Sequence, residues 1–220
     1  MRLTLLCLLV LLCGWPAIAW SQRSDTVANQ YKAAFRFNFT GLLDPIDNNI
    51  SVGGEYCFNP HVSATLDVAF IEVSSYFNDL TRTSGYILRP SFRYYPGLRH
   101  KAFIEGVLFY KHVNYHISDW LGRACVNGVP VYEENTSFVY GKRVSGINFQ
   151  AGIQESLSRN KRLRMEAYLG VGVRQRKQDV IREENSCYNQ QLGIIDINGI
   201  SGSAVLSSLP WGLRLIYCFE

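Results

Sequence analysis

Apolar and polar side chains alternate residue by residue through most of this chain, and a repeat of two belongs to β-strands, not helices. Eight segments carry it: residues 31–40, 50–58, 61–70, 86–95, 103–111, 146–153, 163–174 and 211–219. One row of each is apolar, such as Val62, Ala64, Leu66, Val68 and Phe70, or Tyr86, Leu88, Pro90, Phe92 and Tyr94. These rows hold no Lys, Arg, Asp or Glu. The opposite rows hold twelve: Lys32, Arg36, Arg89, Arg93, Lys111, Arg164, Arg174 and Arg214 against Glu55, Asp67, Glu105 and Glu166. Such a chain closes either a water-soluble sheet with the apolar row inside or a membrane barrel with that row outside.

Three features select the second. Aromatic residues gather at segment ends on the apolar row (Tyr31, Phe39, Phe58, Phe70, Tyr86, Tyr94, Tyr110, Trp211 and Phe219), where amphipathic rings meet a membrane interface. Connections alternate between short ones at 59–60, 96–100 and 155–161 and long ones at 41–49, 73–84, 114–142 and 175–203. The chain also ends on an alternating segment with an aromatic near its terminus. The expectation is an all-β fold: an eight-stranded antiparallel up-and-down transmembrane β-barrel with short periplasmic turns and long extracellular loops.

Composition narrows the function classes. Of 220 residues, 47% are hydrophobic, too many for a disordered chain. The net charge of +4 is small and spread out, so no nucleic-acid partner is expected. Beyond the first residues no apolar run is long enough for a membrane helix. Residues 1–21 read as a cleaved secretory signal peptide: Arg2 is basic, 3–12 is apolar, and cleavage falls after Ala19 or Ser21. The mature domain is then 22–220.

The closing run Trp211-x-Leu213-x-Leu215-x-Tyr217-x-Phe219 resembles the C-terminal signature of outer-membrane β-barrels, although Glu220 follows the aromatic. That resemblance implies recognition by the barrel-insertion machinery. The whole chain is similar to small barrels of the OmpA/OmpX type. Gly53-Gly54-Glu55-Tyr56, the turn 58–61 and the run 89–95 also resemble an uncharacterised outer-membrane barrel family of Bacteroidota that carries no known activity. The implied location is the outer membrane of a Gram-negative bacterium, in contact with its lipid.

A ring of eight strands is only wide enough for side chains to fill. Arg36, Glu55, Asp67, Arg89, Arg93, Glu105, Arg164, Glu166, Arg174 and Arg214 are therefore expected to interlock as an interior charge network, not to line a pore. Inward glycines (Gly53, Gly146, Gly152, Gly170, Gly172, Gly212) leave room for large neighbours, and Pro90 predicts a bulge or distortion. The two longest loops each hold one cysteine, Cys125 and Cys187, which are expected to pair. Cys57 and Cys218 are expected as packed thiols, with a bridge as the alternative.

No cofactor or metal is expected, since no cysteine spacing resembles a zinc site. Of the histidines, His61 and His100 fall in periplasmic turns. His116-x-Ser118 is similar to a pair in a lipid A deacylase of this fold, with Asp119, Glu133 or Glu134 to orient the imidazole. In that enzyme the pair lies on a late strand, unlike here. The preferred reading is a non-catalytic barrel with a structural, adhesion or surface-binding role through its loops, where Tyr115, Trp120, Val129, Val131, Tyr132, Phe138 and Tyr140 offer extended strands or a partner surface. A lipid-modifying enzyme using His116 and Ser118, and a soluble exported barrel binding a small apolar ligand, are the alternatives.

Overall fold

The computed structural model describes residues 31–43, 47–77, 79–97, 101–181, 183, 185–188 and 202–219. The expected leader lies outside them, as do His100 and Glu220. Among the described residues nine antiparallel strands form one sheet: β1 (Ala33–Asn38), β2 (Asp47–Asn59), β3 (Val62–Ser74), β4 (Leu80–Tyr94), β5 (Ala102–Arg123), β6 (Tyr132–Ser156), β7 (Leu163–Ile181), β8 (Gly202–Ser208) and β9 (Trp211–Phe219). A single 3-10 turn, Thr40–Leu43, follows β1.

The sheet closes on itself. Ala34 pairs with Glu55 of β2 on one side and Cys218 of β9 on the other, so the first and last strands are neighbours. β7 completes the ring by pairing β6 on one edge and β8 and β9 on the other. Nine strands stand where eight are expected because the last course is broken in two. Gly172 pairs with Ser208 and Leu169 with Trp211 in one continuous register, interrupted only at Leu209-Pro210. Pro210 has no N–H to give the ladder, and its carbonyl accepts from Gly170 at 2.8 Å.

Tight turns join the strands at one end. In the β2–β3 turn the Asn59 side-chain oxygen accepts from the backbone of His61 at 2.8 Å and of Val62 at 2.9 Å, the self-capping that favours Asn in turns. At the other end two loops are shorter than expected. β5 and β6 run on to Arg123 and Tyr132, which pair, leaving only 124–131 as a loop where 114–142 was expected. Likewise β7 continues to Ile181, inside the expected loop 175–203, and β8 at 202–208 begins within that loop's last two residues. Pro90 makes no bulge. Arg89 and Pro90 drop out of the β4–β5 ladder, while Leu88–Tyr110 and Ser91–Val107 keep one register across the gap.

The reason the long strands escaped the alternation is a reversal of polarity along them. In the lower part of β5 the outward row is Ile104, Gly106, Leu108 and Tyr110, with Ile104 56% and Leu108 55% exposed, and Glu105 faces in. Above Tyr110 the outward row becomes His112, Asn114, His116 and Ser118, while Val113, Tyr115, Ile117 and Leu121 are buried. β6 changes from Phe149 and Ile147 to Ser145 and Arg143, and β7 from Val171 and Val173 to Gln175 and Lys177. The interior is thus dominated by charged groups below, and above it mixes apolar side chains with Asp47, Lys142, Arg176 and Gln178. Tyr31 is a correction: it lies just before β1, off the strand's alternation, and is buried under the ring instead of facing out.

Candidate functional site

The lower interior is a packed ion cluster. Arg93, from β4, donates to Glu166 of β7 at 2.7 Å and Glu105 of β5 at 3.0 Å, and lies 3.6 Å from Glu55 of β2. Arg214 of β9 bridges the same two glutamates, Glu166 at 2.6 Å and Glu105 at 3.1 Å. Arg36 of β1 sits 3.3 Å from Asp67 and 3.6 Å from Glu105. Neutral donors add to these contacts: Ser63 and Tyr95 each donate to Glu55 at 2.6 Å, and Ser91 to Glu105 at 2.5 Å. Ring faces back the guanidiniums, Phe103 at 3.9 Å from Arg93 and Tyr168 at 3.8 Å from Arg214. Every charge here is buried, and buried charges persist only when paired.

Seven of the ten residues expected in this network therefore meet: Arg36, Glu55, Asp67, Arg93, Glu105, Glu166 and Arg214. Three do not. Arg164 lies lower, with its guanidinium 4.8 Å from the Tyr31 ring and its Nε donating to the Lys161 carbonyl. Arg89 lies higher and donates to Ser51 at 3.3 Å. Arg174 is exposed. Lys32 is exposed too, since it precedes the first paired residue of β1. The inward glycines make the packing possible. A Cβ on Gly152 would meet the Phe103 ring at 2.3 Å, and one on Gly212 the Tyr168 hydroxyl at 2.5 Å.

A second cluster sits above, and sequence reading missed it. Asp47 accepts from Lys111 at 2.6 Å, Lys142 at 3.2 Å, Tyr115 at 2.9 Å and Ser74 at 2.7 Å. Asp47 and Lys142 both fell in spans read as loops; continuing the alternation past the apolar rows would have placed them inside. Over this cluster lies an aromatic cap. Tyr76 and Phe77, from the β3–β4 connection, turn into the ring, where Phe77 packs on Tyr115 and Tyr140 at 5.3 Å between centroids. Tyr188 closes it, 4.9 Å from Phe138, and donates to Asp119 at 2.8 Å. Burial and that carboxylate hold the Tyr188 hydroxyl well above the usual tyrosine pKa.

Between the two clusters is a cavity of about 430 Å³. Its lining includes Arg89, Lys111, Arg174 and Arg214 and the amides Asn38, Asn49, Asn148 and Gln150. Leu209, Pro210 and Trp211 of the broken course also line it.

The four cysteines among the described residues fall into two pairs. Cys125 and Cys187 stand at disulfide distance, Cα to Cα 6.0 Å, beside the backbone bridge Gly122–Cys187. Cys57 and Cys218 are free thiols in one small cluster with Tyr31, Ala34 and Ile216. His116 and Ser118 share the outward row of β5 but do not hydrogen-bond each other; Ser118 pairs with Ser137 at 2.8 Å. Of the carboxylates named for the imidazole, Asp119 accepts from Tyr188 and Glu134 from Arg123 at 3.0 Å. Glu133 lies opposite Gly122, away from His116 in register. The closing residues Trp211, Leu213, Leu215, Tyr217 and Phe219 form the outward row of β9.

Comparison with family models, curated proteins and solved structures gives no match to this chain.

Proposed function

We propose that this chain is an integral outer-membrane β-barrel of a Gram-negative bacterium, non-catalytic, with a closed polar interior and a structural or surface-binding role at its loop end. The observation that carries this reading is the outward row of β5, apolar through Tyr110 and polar from His112. A soluble protein has no reason to expose Phe92 at 70%, Phe149 at 64% and Val171 at 63% on one continuous belt, then cover its apolar residues above it. Hydrocarbon around the belt and water above it account for both halves. The belt has the right height: Tyr86 to Tyr94 is eight steps, roughly 27 Å along the strand at ~3.4 Å each, or about 20 Å along an axis inclined by ~40°. Aromatic rings rim it, with Phe70, Tyr86 and Tyr110 above and Tyr56, Phe58, Tyr94 and Phe219 below.

The ion cluster and the aromatic cap argue for a filled interior. The tip of the β5–β6 hairpin supports a surface role, since Trp120, Val126, Val129, Val131 and Tyr132 are all exposed there. A soluble barrel would need the opposite orientation of its rows. The test is expression with the leader, alkaline extraction of membranes and a gel of boiled against unboiled protein. Retention in the extracted membrane and a heat-dependent change in mobility are expected. Release as a detergent-free soluble protein overturns the reading.

A further inference from the structure

We propose that a cleft in the outer wall between β3 and β4 binds the ethanolamine-phosphate head group of a lipid. The β3–β4 ladder ends at the pair Ile71–Gly85. Beyond it β3 keeps to β2, through Asn48–Val73 and Asp47–Ser74, while β4 keeps to β5, through Ser84–Asn114 and Arg82–His116. The connection that follows β3 turns inward and buries Tyr76 and Phe77 in the cap. An open cleft of about 520 Å³ lies where the two strands part. A β-bulge shapes one lip. Asn49 faces Ile71 and Asn48 faces Val73, so Glu72 is the extra residue, and both Glu72 and Val73 are exposed. Bulges re-aim side chains in this way.

The two lips carry opposite charges. Glu72 stands on the β3 lip and Arg82 on the β4 lip, both exposed, and no salt bridge joins them. Ser84, on the same row as Arg82, lines the cleft beside it. A carboxylate accepts hydrogen bonds from a primary ammonium, and a guanidinium forks onto phosphate. Ethanolamine phosphate carries both groups on one short link, so a single molecule answers both lips. The lower edge of the cleft names the carrier. Phe70 lines it and pairs with Tyr86, and these two rings, 58% and 38% exposed, belong to the upper rim of the apolar belt. A head group seated above them leaves its acyl chains on the belt itself.

The site rests on the membrane reading for its lipid, and its test is separable from that reading. Protein purified in dodecyl maltoside, with heat-dependent mobility checked on the same sample, is titrated calorimetrically with dihexanoyl phosphatidylethanolamine. The choline and glycerol counterparts and free O-phosphoethanolamine are titrated beside it. The ethanolamine lipid is expected to bind saturably and about tenfold more tightly than the glycerol lipid, which has no cation for Glu72, the worth of one charge-assisted hydrogen bond. The choline lipid, whose nitrogen has no N–H to give, should also bind more weakly than the ethanolamine lipid. Glu72→Gln should remove the preference for ethanolamine without weakening the glycerol lipid, and Arg82→Gln should weaken all three, with mobility unchanged in both variants. Equal affinity for the three lipids, or a preference that survives Glu72→Gln, overturns the site. Free O-phosphoethanolamine binding as tightly as its lipid overturns the lipid source and leaves a soluble one. A heat-modifiable protein that binds none of them keeps its membrane assignment and loses only the ligand.

Discussion

Tyr110 and His112 follow one another on the outward row of β5, facing Leu88 and Tyr86 of β4, and the chemistry of the outer surface changes between them. The inner row of the same strand is mixed throughout, with Phe103, Glu105 and Val107 below and Lys111, Val113 and Tyr115 above. On the proposed membrane reading, hydrocarbon around the lower part of the outward row and water around its upper part account for the change.

The first prediction uses that boundary. Leu108→Arg, in the middle of the apolar belt, should cost ~2–4 kcal/mol in a bilayer. Asn114→Arg, on the same row above the boundary, should stay within about 0.5 kcal/mol of the parent. Urea titration of vesicle-refolded protein, followed by fluorescence, reads both. Equal, small effects would put both positions in water.

The ion cluster makes the second. Glu105 answers Arg36, Arg93 and Arg214 together, so Glu105→Gln leaves buried positive charge uncompensated. A loss of ~3–5 kcal/mol is expected. Glu155→Gln breaks the exposed pair with Lys101 and should cost no more than ~1 kcal/mol. The same titration checks the pair, and matching losses would mean the interior admits water.

These two predictions touch what was most and least legible in the sequence. Arg93, Glu105, Glu166 and Arg214 were legible because each sits between apolar neighbours, where a period of two stands out. Asp47, Lys142 and Tyr115 were not, since above the belt both rows become mixed and the contrast that reveals a strand fades. Ring closure through Ala34 and the break at Pro210 depend on which strands meet, which no local pattern states. Cys125 and Cys187 needed only their loops.

Gly152 tests the fit of the interior. The Phe103 ring and the Ala167 carbonyl both occupy the space a Cβ would take there, at 2.3 and 2.6 Å. Gly152→Ala should therefore lose ~1–3 kcal/mol by overpacking. Gly106→Ala, on the outward row with nothing nearer than 3.9 Å, should be neutral or gain up to ~1 kcal/mol. A refolding-yield and urea comparison of the two decides it.

The loop cross-link should act locally. Cys125 and Cys187 are 62 residues apart in sequence, but β6 and β7 already bring their neighbourhoods together. Replacing both with Ser should cost at most ~2–4 kcal/mol and leave the heat-modifiable fold intact. Proteolysis at 185–188 should become faster, while strand fragments stay protected. Loss of the folded band itself would show that the bridge is needed for assembly.

Tyr188 gives the pH dependence. Its hydroxyl is buried in the cap and donates to Asp119, which raises its pKa above that of an unfolded tyrosine, ~10. The folded protein therefore holds this proton more tightly than the unfolded one. The stabilisation is complete below the ordinary tyrosine value and declines as pH climbs from there through the raised one. Near-ultraviolet circular dichroism of the cap should hold through pH 10 and fall above it. Subtracting the same titration of Tyr188→Phe isolates this residue, since the variant has no proton to lose there. A parent curve that superimposes on the variant's would assign the alkaline transition to other tyrosines and detach Asp119 from the cap's stability.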